Sequence, residues 1–218
     1  MRKSTAILLA ALILLSAVSG IWLIVSPSFE RRQSLERQDE MIAAIEESID
    51  AAAIQPQTEA PFLIVPDDEP SPIILPEPAP PKEPAPIGTE LGILTIERLD
   101  MKLPVVEGVT EELLKTAVGH VPETAAISDM GNAVIAGHRS YAYGKDFNRL
   151  GEVETGDIIG YISADGENHL FEVFEIIEIE PDNQIAFIQT SDRSIITLYT
   201  CTPIYEATHR LLVRAEKI

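Results

Sequence analysis

The sequence predicts that residues 88–218 form an all-β domain with minor helices, a small barrel. Short runs rich in β-branched and aromatic residues recur along this part of the chain. Glycine, proline, asparagine and aspartate separate them, which is typical of small barrels. The residues before 88 have a different character, first apolar, then charged, then rich in proline. About 130 residues therefore remain for one domain, which is enough to bury a core.

The first segment, residues 1–28, contains 21 uncharged and mainly apolar residues at positions 5–25. About 20 such residues can cross the hydrocarbon core of a bilayer as a helix. We therefore predict a retained membrane anchor. The alternative is a cleaved signal peptide, because Ala17, Val18 and Ser19 provide a small-residue cleavage site before Gly20.

The second segment, residues 29–54, carries Leu35, Ile42 and Ile49 at seven-residue intervals, with charged side chains on its other faces. This spacing is typical of an amphipathic helix. We predict a helical stalk beside the membrane. A short coiled-coil contact between two copies is the alternative.

The third segment, residues 55–87, contains 11 of the 16 prolines and several acidic residues. Such a composition favours an extended, semi-rigid linker. It also holds two apolar islands, residues 62–65 and 73–75. A lid that covers a neighbouring cleft is therefore the alternative to a plain linker.

Within residues 88–218, runs of β-forming residues predict the strands, and turn residues predict their ends. The apolar spacing in the longest strand is irregular, which predicts a bulge. We predict strands at 92–97, 101–106, 133–136, 157–162, 169–180, 194–200 and 211–213, and short helical segments at 110–115 and 145–150.

Cys201 is the only cysteine, and it lies where a predicted strand ends before Pro203. Many free cysteines are simply small buried hydrophobes. Here, however, Arg210 opens the next predicted strand, and a cationic neighbourhood favours the nucleophilic thiolate. Among the four histidines, His138 directly follows a buried-type strand and Gly137. These residues are the candidates for nucleophilic catalysis.

Three separated motifs strengthen this interpretation. Residues 197–203 are TLYTCTP, residues 208–214 are THRLLVR, and residues 137–139 are GHR. Together they resemble the signature of sortases, the cysteine transpeptidases of Gram-positive cell surfaces. The resemblance covers residues 88–218 and is strongest to class C, the pilus-assembling class. It implies a closed, sortase-type barrel of eight strands, with His138, Cys201 and Arg210 as catalytic residues.

The resemblance also implies a reaction and a location. Cys201 would cleave a Leu-Pro-x-Thr-Gly-like (LPXTG-like) sorting signal between threonine and glycine and pass the acyl group to an amine. That amine is a pilin lysine in the pilus class and a cell-wall peptide in the anchoring classes. The catalytic domain would lie outside the cell membrane on one N-terminal helix, with no cofactor. Thr200 would support the site, and Ile185, Phe187 and Ile188 would receive the Leu-Pro part, unless these three merely pack the barrel.

Composition excludes other classes of function. The net charge of −19 argues against a nucleic-acid binder, which needs a basic face. A single cysteine excludes an intrachain disulfide framework and makes a cysteine-rich zinc site implausible. Two alternatives remain open: a thiol hydrolase that releases the acyl group to water, and a non-enzymatic surface module with an inert Cys201.

Overall fold

A computed structural model of the chain describes residues 16, 29, 32–51, 85–140 and 145–218. The predicted membrane anchor and nearly all of the predicted linker lie outside these residues. Within the described residues, no helix is long and apolar enough to span a bilayer. The described residues thus comprise one N-terminal helix and the predicted barrel apart from residues 141–144.

Residues 85–218 form a closed barrel of eight strands, which confirms the predicted fold class. Around the barrel the strand order is β1, β2, β3, β4, β7, β8, β6, β5. The β2–β3 and β4–β7 pairs are parallel, and the other pairs are antiparallel. The strands are β1 (Glu90–Ile96), β2 (Met101–Glu107), β3 (Val118–His120), β4 (Gly131–Ala136), β5 (Ile158–Ser163), β6 (Asn168–Ile179), β7 (Ser194–Thr202) and β8 (His209–Lys217).

The helical segments of the barrel are single 3-10 turns, at Glu97–Leu99, Leu113–Lys115, Leu150–Glu152 and Gln184–Phe187. The helix predicted at 110–115 is one of them. It begins only at Leu113, three residues later than predicted, and Thr110 Oγ1 accepts a hydrogen bond from Leu113 N at 3.4 Å. It ends after one turn because Val118 already pairs with β2. The irregular spacing in β6 corresponds to a register shift between Val173 and Glu175, as predicted.

The barrel interior is filled by alternate side chains of all eight strands, together with loop residues. Phe147 and Phe171 are the largest fully buried side chains, and Leu150 is equally inaccessible. Burying a side chain of this size contributes about 1.5–3 kcal/mol relative to exposure. Phe147 and Leu150 belong to the β4–β5 connection, so the core fixes this connection around residues 147–150.

Residues 32–51 form a helix, which we call α1, and it lies against the barrel. Ile45 is only 1% exposed. Near the start of α1, Ser34 Oγ accepts a hydrogen bond from Lys145 Nζ at 2.6 Å and contacts the Lys115 carbonyl. Further along, Glu46 pairs with Lys102 of β2. One face of this amphipathic helix is therefore covered by the chain's own barrel.

Candidate active site

The β7–β8 hairpin places Cys201 directly opposite Arg210. Side chains alternate across a strand, so residues with the same parity share a face. Ile196 and Leu198 belong to the main core cluster, which identifies the inner face of β7, and Thr200 shares their parity. Cys201 lies on the outer face, is half-buried and carries a free thiol. The nucleophile and the arginine predicted to assist it therefore share one face of the hairpin.

His138 reaches this place because β4 runs parallel to β7. The backbone of Gly137 is held on both sides: its N–H donates to Tyr199 O at 3.1 Å, and its carbonyl accepts from Thr200 Oγ1 at 2.8 Å. A Cβ at Gly137 would lie 2.6 Å from a ring carbon of Phe147, so only glycine fits. His138 follows at once and is exposed.

His138 and Cys201 line one cavity of about 750 Å³. Its wall is built by three parts of the chain: the start of α1, the segment before β3, and the loops after β4 and β7. The residues that concern the chemistry are Arg37, Glu112, Lys115, His138, Arg139, Lys145, Asp146 and Cys201. The structure thus brings the predicted nucleophile and histidine together.

Arg210 does not line this cavity. Its Nη1 donates to the carbonyls of Ala207 and His209, at 3.1 and 2.9 Å. The arginine beside Cys201 in the cavity is Arg139, whose Nη1 donates to the Cys201 carbonyl at 3.4 Å. Burial lowers the pKa of Arg139, while the charges of Glu178 and Cys201 raise it. Arg139 is therefore the arginine that lines the cavity with Cys201, whereas Arg210 lies opposite Cys201 in the strand register and its guanidinium is bound to loop carbonyls.

The predicted substrate-binding residues occupy different positions. Thr200 is buried behind the site, where it holds Gly137. Ile185 and Phe187 pack against a small apolar cluster that contains Tyr199 and Leu212, on the same outer face as Cys201. Ile188 is 61% exposed beside them. None of the four lines the cavity of His138 and Cys201. Their part in substrate binding stays a prediction.

Asp146 is a buried carboxylate in the cavity wall that sequence reasoning missed. It is 3% exposed and has a left-handed backbone, with φ of 48°. The next residue, Phe147, donates its N–H to the His138 carbonyl at 3.1 Å, which fixes this segment beside His138. Burial raises the pKa of Asp146 to about 6, against a smaller lowering by Lys145. Among the described residues, its Oδ1 has no hydrogen-bond partner.

Comparison with known proteins decides the family. The family model of the sortase domain matches residues 94–218. The chain belongs to the sortase family. This match covers β2 to β8 completely and thus includes His138, Cys201 and Arg210.

Several sortases are similar in sequence or structure. Sortase D of Bacillus subtilis is 29% identical over 116 residues, 53% of this chain and 56% of that protein. The pilus-related sortase C of Group B Streptococcus has a TM-score of 0.56 at 29% identity, covering 59% of this chain and 67% of that one. Sortase C of Clostridium perfringens, solved with the C-terminal cell wall sorting motif, has a TM-score of 0.56 at 28% identity, covering 61% of this chain and 72% of that one. The chain spans 40–56% of the length of the curated sortases it matches.

The sortase motifs contain a signal for Arg139 but none for Asp146. Arg139 completes the Gly-His-Arg triplet, so its place beside the histidine is visible in the sequence. Asp146 belongs to the segment 145–150, for which the sequence pattern predicts only a short helical turn. Its burial results from the packing of Phe147 beneath Gly137, a tertiary contact that no local pattern indicates.

We expect Asp146 to make the fold less stable as pH rises from about 4 to 6. Its pKa is higher in the folded chain than the usual 3.8, so the folded state holds the proton more tightly. The stabilisation by the protonated carboxyl is complete below pH 3.8 and is lost as the pH passes 6, by about 3 kcal/mol. The Asp146→Asn variant has no ionisable group at this position, so it does not lose this stabilisation as the pH rises. Its free energy of unfolding relative to wild type should therefore rise between pH 4 and pH 7 in urea titrations.

Asp129→Asn is the matched control, because Asp129 is exposed. The free energy of unfolding of Asp129→Asn relative to wild type should stay nearly constant over the same pH range. A constant difference for Asp146→Asn as well would contradict the buried, ionisable state of Asp146.

Proposed function

We propose that this sortase is a membrane-anchored cysteine transpeptidase that cleaves an LPXTG-like sorting signal between threonine and glycine. One observation carries the proposal: Cys201 and His138 line a single cavity at the end of the β7–β8 hairpin. A thiol and an imidazole at one cavity are the groups that acyl transfer through a thioester requires. The proposed anchor is the apolar run at residues 5–25. The proposed position of the barrel outside the cell membrane rests on analogy with the sortase family.

The two steps of the reaction follow from the residue types. The Cys201 thiolate attacks the threonine carbonyl carbon, and the peptide C–N bond breaks while His138 as imidazolium protonates the leaving glycine amine. In the second step an amine attacks the thioester, the C–S bond breaks, and its electron pair returns to sulfur. Arg210 or Arg139 would donate hydrogen bonds to the oxyanion that forms in each step.

The apolar cluster on the outer face is the proposed seat of the Leu-Pro part of the signal. Tyr199 lies two residues before Cys201 on the same face, and Leu212 pairs with it across the hairpin. Phe187 packs on Tyr199, with 5.8 Å between the ring centroids. An extended peptide bound along β7 would therefore place apolar side chains on this cluster while its threonine reached Cys201. The Clostridium perfringens structure with a sorting motif supports a peptide substrate of this class.

The proposed acceptor is a pilin lysine. The support is the similarity to a pilus-related sortase C of Group B Streptococcus. The second candidate acceptor is a cell-wall peptide, as in the anchoring classes, and it is favoured by the similarity to a sortase D rather than a sortase C among curated relatives. Release to water would make the enzyme a thiol hydrolase.

Mass spectrometry of the full chain tests these alternatives. The protein is incubated with a Leu-Pro-x-Thr-Gly peptide library and two amines, triglycine and a lysine peptide of pilin type. A thioester at Cys201 that one amine resolves is the expected result, and the preferred amine identifies the acceptor class. Acid product at every amine concentration would favour the hydrolase. An unreactive thiol without any adduct would contradict the proposal.

A further inference from the structure

The cavity that holds His138 and Cys201 contains an acid for which the mechanism above has no use. Asp146 is 3% exposed, and its Oδ1 has no hydrogen-bond partner among the described residues. Burying a carboxylate without a partner is unfavourable, so proteins seldom retain one without a ligand or a function. A ligand with a hydrogen-bond donor would satisfy this oxygen.

The other acid in the cavity wall is already satisfied. Glu112 accepts a hydrogen bond from Lys115 Nζ at 2.6 Å, and the charge of Arg37 also acts on it. Asp146 has a lysine as its chain neighbour, but Lys145 Nζ points to Ser34 Oγ at 2.6 Å and to the Lys115 carbonyl at 3.4 Å. The nearest lysine in sequence is thus bound to α1, and Asp146 Oδ1 keeps no hydrogen-bond partner among the described residues.

Two cations of the cavity wall already interact with other groups of the chain. Arg139 donates to the Cys201 carbonyl and interacts with the charge of Glu178. Lys115 is paired with Glu112. The site therefore has both signs of charge, and two of its buried atoms have no hydrogen-bond partner among the described residues: Asp146 Oδ1, which accepts, and Arg139 Nε, which donates. A cationic ligand that carries N–H donors suits this acid better than an anionic one.

We propose that Asp146 is a binding residue for the acceptor amine, which it receives as an ammonium group. This inference rests on the proposed transpeptidation, since the second step brings an amine into the cavity of His138 and Cys201. Asp146 is held beside His138 by the hydrogen bond from Phe147 N to the His138 carbonyl, at 3.1 Å. The amine is thereby bound near the base that must deprotonate it.

The protons balance in this step. An ammonium group loses two protons when it becomes the nitrogen of an amide. One passes to the Asp146 carboxylate and then to water, and the other passes to the neutral imidazole of His138. The C–N bond forms, the C–S bond of the thioester breaks, and the electron pair remains on the Cys201 sulfur as thiolate. A carboxyl with a pKa of about 6 is ionised at neutral pH, as ammonium binding requires.

The test measures how the acyl-enzyme is divided between water and an amine. The full-length Asp146→Asn protein is compared with wild type, because asparagine keeps the size of the side chain and tolerates the left-handed backbone. With a Leu-Pro-x-Thr-Gly peptide as donor, three quantities are followed by mass spectrometry: thioester formation, acid product, and amide product as a function of amine concentration. Triglycine and a lysine peptide serve as the amines.

Hydroxylamine is the matched control nucleophile, because it is uncharged at neutral pH and needs no carboxylate to bind it. We expect Asp146→Asn to raise the amine concentration for half-maximal transfer by about tenfold to a hundredfold, the effect of one lost charge-assisted hydrogen bond. Thioester formation, hydrolysis and transfer to hydroxylamine should stay within about twofold. Asp129→Asn, on an exposed acid, should leave all of them unchanged.

The outcomes distinguish a failure of the amine site at Asp146 from a failure of the proposed transpeptidation. An unchanged amine dependence in Asp146→Asn, with normal thioester formation, would overturn the amine site and leave the transpeptidase intact. Slower thioester formation would also overturn it, because Asp146 would then orient His138 rather than bind the acceptor. If wild type forms no thioester with any donor peptide, the proposed function fails and the amine site fails with it.

Discussion

Replacing Cys201 by alanine should abolish the thioester and lower transpeptidation by about 10⁴-fold or more. The chain has no second thiol that could take over. The substitution should leave the fold intact, since Cys201 is half-buried on the outer face of the hairpin rather than in the barrel core. We expect the free energy of unfolding to change by less than about 1 kcal/mol. The measurement is product formation from a sorting peptide and an amine, with thermal unfolding in parallel.

His138→Asn should cost nearly as much as Cys201→Ala, and the double variant no more than either, because residues that act as one unit are not additive. His209→Asn is the control, since His209 is an exposed histidine next to Arg210 on the same hairpin. Retention of more than a tenth of the wild-type rate in Cys201→Ala would contradict Cys201 as the nucleophile, whereas absence of product from the wild-type chain would support the non-enzymatic surface module.

The strands were largely predictable because β-branched runs and turn residues are local signals. Which strands pair was not. The parallel β4–β7 contact joins residues about 60 positions apart, and nothing in either run specifies the other. Strand β3 was missed because three residues, Val118–His120, are too few for a pattern. The closure of the barrel came from the resemblance to sortases alone.

The sequence motifs predict those residues of the site that belong to them. Cys201 and His138 come from separate motifs, and the structure places them at one cavity. The docking of α1 was not predictable, because an amphipathic pattern shows that one face will be buried but not what buries it. The same limit applies to Asp146, whose environment depends on Lys145 reaching Ser34, a contact between residues 111 positions apart.

The family resemblance assigns Arg210 as the catalytic arginine, and its removal should have the second-largest effect on rate. Arg210→Gln should lower kcat by about a hundred- to a thousandfold with little change in KM, because an oxyanion donor acts in the transition state more than in the ground state. Arg210→Lys should recover only part of this loss, since an ammonium cannot reproduce the guanidinium fork. Initial rates over a range of donor peptide concentrations give both constants.

The position of Arg210 gives this prediction a further consequence. Its guanidinium is bound to the carbonyls of Ala207 and His209. It must exchange these two hydrogen bonds for the oxyanion, so the loop between β7 and β8 has to adjust when the signal binds. Arg139 already lies in the cavity and holds the Cys201 carbonyl, and Arg139→Gln should therefore cost about tenfold through the orientation of Cys201. If Arg139→Gln instead costs more than Arg210→Gln, the oxyanion donor is Arg139, and Arg210 serves the loop.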